Sequence, residues 1–305
     1  MPKIAYVTRK FSAESEAVIT SANKIIAEYQ AMGFKLTLRQ LYYQFVSRDL
    51  LPNKQAEYKR LGSIINDGRL AGLIDWEAIE DRGRNLVRSP SWESPDQIIA
   101  SCAEQFRLDP WEKQRNYLEC WVEKEALLGV VGVACEKWRV PYFACKGYTS
   151  QSEMWDAGRN RLGRRGSEGK YLSILHLGDH DPSGIDMTRD IQDRLRLFTR
   201  GMVVVRRLAL NMEQVERWQP PPNPAKITDS RFAGYAAMHG NESWELDALG
   251  PQTIAELIEA EIGDYIDPAQ WKLDMERERV ARESLALISE QFEEVSRFAA
   301  RPQEG

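Results

Sequence analysis

The chain has 305 residues, 43% of them hydrophobic and 29% charged, with a formal net charge of −5. That balance suits a globular chain of two domains and excludes a disordered or fibrous one. It contains no long uncharged apolar stretch for a membrane span, and the segment Met1-Pro-Lys-Ile-Ala-Tyr-Val-Thr-Arg-Lys10 is too short in apolar residues for a signal peptide. Cys102, Cys120, Cys135 and Cys145 form no CxxC pair, and three of them fall in expected core elements. Reduced thiols and a cytoplasmic location are therefore expected.

In chain order, a helix is expected over about 13–31, stopped by Gly33. Thr37-Leu-Arg-Gln40 is a capping-box pattern opening a second helix that ends before Pro52, and a third runs over about 55–71. Three short helices followed by Leu73-Ile74-Asp-Trp76 and the basic Arg82-Gly-Arg84 predict a winged helix-turn-helix of CAP-like type over 1–95. The Ser/Pro-rich stretch 88–95 reads as a linker, and 96–116 as a bridging helix. From Tyr117 apolar runs alternate with helical patterns: strands at 117–122, 140–145, 171–177 and 202–210, helices at about 124–138, 150–162 and 184–199. Such alternation predicts an α/β domain with a doubly wound parallel sheet over 117–250. Residues 251–305 read as a helical extension, with a long charged helix over about 268–298.

Two of these strands end in acids. Tyr117-Leu-Glu-Cys-Trp-Val122 runs into Glu123-Lys124-Glu125, and Tyr171-Leu-Ser-Ile-Leu-His-Leu177 into Gly178-Asp179-His180-Asp181-Pro182-Ser183-Gly184. Ligands of open α/β sheets bind at the carboxyl ends of strands. Glu123, Asp179 and Asp181 there would offer hard oxygen ligands suited to Mg²⁺, with Mn²⁺ as a substitute. Alternation puts Asp179 and Asp181 on one side and His180 on the other, Glu125 is expected to face outward, and Asp186 could serve as an outer acid. No Cys/His spacing suggests zinc. Basic clusters at Arg159, Arg161, Arg164 and Arg165, and at Arg194, Arg196, Arg200, Arg206 and Arg207, flank the acidic segment. They are either solvated helix faces or a phosphate-tracking surface.

On the second helix Leu38, Leu41, Tyr42, Phe45 and Val46 share an apolar stripe, so Tyr42 is expected in the core. Tyr43 falls outside the stripe, one turn from Arg39. It is either an ordinary surface tyrosine or, with activation, a nucleophile towards a phosphodiester.

Together, Thr37-Leu-Arg-Gln-Leu-Tyr-Tyr43, Val122-Glu-Lys-Glu-Ala126, Lys146-Gly-Tyr-Thr-Ser150, Gly178-Asp-His-Asp-Pro-Ser-Gly184 and, more weakly, Glu245-Leu-Asp-Ala-Leu249 resemble the A subunit of DNA topoisomerase VI and its meiotic DNA-cleaving relatives. The resemblance spans roughly 37–250. It implies a winged-helix domain joined to a Toprim domain, with Tyr43 as nucleophile assisted by Arg39. It also implies Mg²⁺ on Glu123, Asp179 and Asp181. Nucleic-acid contacts are expected from Lys146, Arg82, Arg84, Arg164 and Arg165. Further implications are a homodimer whose tyrosine works at the partner's metal, and a 5′-phosphotyrosyl product. Only about 36 residues precede the tyrosine motif and no Gly-rich nucleotide pattern occurs, so neither an ATP site nor a docking segment for a separate ATPase subunit is expected. The chain more closely resembles compact, stand-alone bacterial or phage Toprim proteins. Hydrolysis by metal-activated water, a non-catalytic winged-helix DNA-binding role, and RNA as substrate stay open at this point.

Overall fold

The computed structural model describes residues 3–79 and 91–299. Helix α1 (Ala13–Ala31) is capped by the Ser12 hydroxyl and buries Ile19, Ala22, Ile26 and Tyr29 along one face, the spacing of an amphipathic helix. Helix α2 (Leu38–Ser47) opens with the reciprocal Thr37–Gln40 capping box, as the sequence predicts. Helix α3 (Gln55–Leu70) packs on α1 and α2. Around these helices the described residues form only isolated bridges, Ala5 with Ala71 and Leu36 with Ile79. Arg82 and Arg84, expected in a wing, lie outside the described residues.

Helix α4 (Pro95–Gln105) precedes β1 (Asn116–Val122). A 3₁₀ turn leads into α5 (Leu128–Lys137), then β2 (Tyr142–Ala144) and α6 (Gln151–Asp156). A π-helical turn (Ala157–Leu162) joins α6 to α7 (Gly163–Ser167), where a single helix was expected. Next come β3 (Tyr171–Leu177), α8 (Pro182–Thr199) and β4 (Val203–Ala209). Helix α9 (Met212–Trp218), β5 (Asn223–Pro224), α10 (Phe232–His239) and β6 (Glu242–Ser243) follow, β5 and β6 pairing antiparallel. The chain continues through α11 (Pro251–Gly263), α12 (Pro268–Glu290) and α13 (Phe292–Ala299), so the long C-terminal helix is broken at Gln291. No described helix is long and apolar enough to cross a membrane.

The chain is therefore α/β, with a four-stranded parallel sheet in the order β2-β1-β3-β4. Cys120 aligns with Tyr142 and Leu172 with Val203. Helix α5 packs with α11, whereas α6, the π turn and α7 pack with α8. Because the crossover direction reverses at β1, right-handed connections place these two groups on opposite faces. Trp121, Leu172, Ile174, Ile191, Leu195 and Val203 form the buried centre. Each such side chain contributes about 1.5–3 kcal/mol of transfer free energy. The order reverses between β1 and β3, which makes the crevice at their carboxyl ends the switch point where such sheets take ligands.

Two compact units group the chain differently from the sequence boundaries at 95, 117 and 250. One combines the N-terminal helices with residues 117–264, so α11 belongs to it and not to a C-terminal extension. The other combines 91–116 with 265–299. In this second unit α4, expected as a linker helix, packs along α12. The buried Glu278 accepts the Leu108 N–H at 2.8 Å, and Trp111 meets Trp271 edge to face at 6.1 Å. Asn116 Nδ2 donates to Tyr265 O at 2.8 Å.

Candidate active site

Glu123 is the first residue beyond β1, and its N–H continues the sheet by bonding Leu177 O at 2.8 Å. Its Oε2 accepts the Asp179 N–H at 2.9 Å. This approach depends on Gly178, where a Cβ would stand 2.9 Å from the same oxygen. Asp181 caps α8, its Oδ1 accepting the Gly184 N–H at 2.6 Å and the Ser183 hydroxyl at 3.0 Å. The turn between them is too tight for any residue but glycine at 184, where a Cβ would lie 2.2 Å from Asp179 O. Glu123 Oε1 and Asp181 Oδ2 make no hydrogen bond among the described residues.

Asp179, expected as a metal ligand, has both oxygens engaged by protein. Oδ1 accepts the Leu246 N–H at 2.8 Å, and Oδ2 lies 2.7 Å from Lys124 Nζ. The same ammonium reaches Glu245 at 3.1 Å and Asp247 at 3.2 Å. Glu245-Leu-Asp247 is carried to the site by a bridge in which His180 and Trp244 exchange backbone hydrogen bonds of 2.8 and 2.9 Å. Arg207, placed by sequence in a basic cluster, is instead half-buried under the acidic loop. It donates to the carbonyls of Asp179 at 2.6 Å, Gly184 at 2.8 Å and Gly178 at 3.0 Å.

Five carboxylates (Glu123, Asp179, Asp181, Glu245, Asp247) thus face three cations (Lys124, Arg39, Arg207). Burial, then the Asp179 charge, pushes Glu123 up to about 7. Burial also raises Asp247 to about 6 against the pull of Lys124 and Arg39. Glu245 resists its own burial, because Lys124 and Arg39 bring it down to about 2. Burial pulls the Arg207 guanidinium down to about 10 despite the neighbouring acids. The site therefore holds surplus negative charge that proton uptake by Glu123 relieves near neutrality.

This donor set fits Mg²⁺, which is usually held by one or two carboxylates with water and phosphate oxygens completing the shell. It is not a closed cage: among the described residues no three His, Cys, Asp or Glu side chains are grouped as a metal site. The reason lies in the contacts above, since Asp179 is turned onto Lys124 and Asp181 onto the α8 N-terminus.

Tyr43 departs from its expected polar-face position. It is 4% exposed, because the 3₁₀ turn Leu246–Ala248 covers that side of α2. Burial, then the nearby Glu245 and Asp247 charges, holds the phenol above its ordinary pKa. Arg39 stands 5.9 Å from the Tyr43 ring centroid and pairs with Glu245. Its Nε lies 2.7 Å from Asp247 Oδ2, without hydrogen-bond alignment. Tyr43, Arg39, Glu245, Lys124 and Asp179 form one continuous network within a single chain, whereas the resemblance implies a tyrosine serving the partner's metal. Tyr42 is buried as expected, its hydroxyl tied to Pro52 O and Lys54.

The remaining expected residues are dispersed. Lys146 is exposed, pairs with the outward-facing Glu125 at 2.8 Å and donates its N–H to Glu123 O. Arg164 is exposed near Glu168, while Arg165 is buried with its guanidinium 5.2 Å from the Tyr117 ring centroid. His180 is buried against Tyr235, His239 and Trp244, and burial lowers its pKa to about 4. Asp186 binds Tyr148, Arg189 and Arg231 rather than the acidic cluster. Sequence reasoning assigned no role to Lys124, Glu245 or Asp247; the weak Glu245-Leu-Asp-Ala-Leu249 match is the sequence signal that points to the last two. No protein-family model matches the chain, and no curated protein matches its sequence.

Proposed function

We propose that this chain is a divalent-cation-dependent enzyme that cleaves nucleic-acid phosphodiesters, built on a Toprim-type sheet and acting on DNA, as a homodimer. The observation that carries the reading is the surplus of carboxylate at the β1/β3 switch point, with Asp179 and Asp247 buried and Glu123 pushed to about 7. A retired site would not retain uncompensated acids at a cost in stability. Glu123 and Asp181 would hold the cation, joined by Asp179 once Lys124 releases it. A bound Mg²⁺ supplies charge neutralisation at the scissile phosphate and its departing oxygen.

Tyr43 is the nucleophile in this reading. Its oxygen bonds to phosphorus as the bond from phosphorus to the 3′ oxygen breaks, leaving a 5′-phosphotyrosyl end and a 3′ oxygen that becomes a hydroxyl by taking a proton from water. Glu245 accepts the phenolic proton. At about 2 it is a weak base, but Lys124 and Arg39 hold it there. A phosphate that draws those cations away raises its basicity only when substrate is present. Hydrolysis by activated water is the second reading, favoured by the burial and raised pKa of Tyr43.

Incubation with supercoiled plasmid and Mg²⁺, stopped with denaturant, tests both. Asp181→Asn should abolish cutting, and undiminished cutting would sink the metal assignment. If Tyr43→Phe removes both cutting and protein-linked ends, transesterification stands; if cutting survives, hydrolysis does.

A further inference from the structure

Beside Tyr43 opens a cavity of about 340 Å³ lined by Arg39, Tyr43, Gln55, Tyr58, Asn223 and Glu245. That is the lower end of the size range of small-molecule sites. Its back wall is fixed. Tyr42 is hydrogen-bonded to the 52–54 backbone and meets Tyr58 edge to face at 5.4 Å, and Asn53 Nδ2 donates to Asn223 Oδ1 at 2.8 Å. Tyr58 Oη, the Gln55 amide and Asn223 Nδ2 make no hydrogen bond among the described residues, so each has capacity left for a ligand.

Charge decides what kind of ligand. Among the described residues the only cation in the lining, Arg39, is already paired with Glu245 and Asp247. A phosphate or carboxylate inside would meet the Glu245 carboxylate without a free counter-ion. The remaining lining is tyrosine side chains and side-chain amides, and the amides donate and accept in one plane. This complements a flat, neutral ring system with mixed donors and acceptors along its edge, the description of an unstacked nucleobase.

We infer that this cavity is a nucleobase subsite, taking a base flipped out of its stack next to the cleaved phosphate and so fixing that phosphate at the mouth, against Arg39 and Tyr43. The inference rests on the nucleic-acid reading above. It adds a positioning role, since a base held by amides and aromatic edges sets the phosphate within reach of the phenol.

Saturation-transfer NMR on the full chain in chelator tests it without any cleavage step, using the four deoxynucleosides and free deoxyribose as probes. The deoxynucleosides should receive saturation and the sugar alone should not. The Gln55→Ala/Asn223→Ala variant should weaken binding at least about fivefold for each hydrogen bond lost. Tyr58→Phe, which keeps the ring and loses the hydroxyl, should weaken it by a similar factor with unchanged melting, and serves should the double variant not fold. Equal transfer to deoxyribose, or binding indifferent to both variants, overturns the inference. Cation-dependent cutting without nucleoside binding overturns the subsite alone, whereas nucleoside binding without cutting overturns the enzyme reading alone.

Discussion

Replacing Lys124 by methionine is the most discriminating perturbation of the acidic cluster. The ammonium lies 2.7, 3.1 and 3.2 Å from Asp179, Glu245 and Asp247, and its side chain is only 21% exposed. At an effective dielectric near 20 each contact is worth about 5–6 kcal/mol gross, and most of that offsets the cost of burying the charges. Removing one partner leaves the acids uncompensated, so the net loss should be roughly 3–5 kcal/mol. For a chain of this size that lowers the melting temperature by about 6–15 °C in chelator above neutral pH. The sign with pH follows from the acids. Asp247 and Glu123, at about 6 and 7 in the folded protein, lie above their unfolded values. Their neutral forms contribute stability fully present at acid pH and lost as pH rises through those values. The deficit should therefore shrink below about pH 6, where protonation replaces the missing cation, and excess Mg²⁺ should restore more stability to the variant than to the parent. Thermal melts across pH, with chelator and with Mg²⁺, read all of this. A variant as stable as the parent in chelator, or a deficit that grows on acidification, would refute the electrostatic account of the site.

Other expectations follow from the same geometry. Glu123→Gln should stabilise the protein in chelator at pH 8 by about 1–3 kcal/mol, the order set by its shift to about 7, with little change near pH 4, as denaturant melts would show. It should also remove the Mg²⁺-dependent rise in melting temperature. Asp181→Ala should cost about 1 kcal/mol through loss of the α8 cap, whereas Asp181→Asn should keep that cap and lose cation binding, so calorimetry with Mg²⁺ separates the two roles. Gly178→Ala brings a methyl group 2.9 Å from Glu123 Oε2, and displacement of that carboxylate should weaken Mg²⁺ affinity at least about tenfold by titration calorimetry.

Much of the scaffold was legible because its signals are local. Thr37 and Gln40 lie one turn apart and cap α2 as read, and the apolar run 171–177 flanked by Lys170 and Gly178 became β3. What escaped depends on residues distant in sequence. The outer face of α2 is polar by periodicity, yet Tyr43 is buried because residues 245–248, two hundred positions later, fold over it. Arg207 sits in an apparently solvated basic run, but its alternation along β4 aims it beneath the acidic loop. Asp179 was read correctly as an acid at a strand end. Its lysine partner follows directly after the other acidic strand end and was invisible without the register of β1 against β3. The single helix expected over 268–298 breaks at Gln291, where no Pro or Gly marks the stop.

The second unit is stitched from two stretches separated by the whole sheet, with α4 completed by α12 only after about 160 further residues of chain. During synthesis α4 leaves the ribosome long before its partner exists, and Ala103 and its neighbours stay wetted until translation reaches α12. Closure over so long a loop is slow and entropically costly. The sheet carrying the acids can therefore be complete while this helical pair is still open, and a chain cut short before Pro268 would leave α4 as an orphan helix exposed to aggregation and proteolysis.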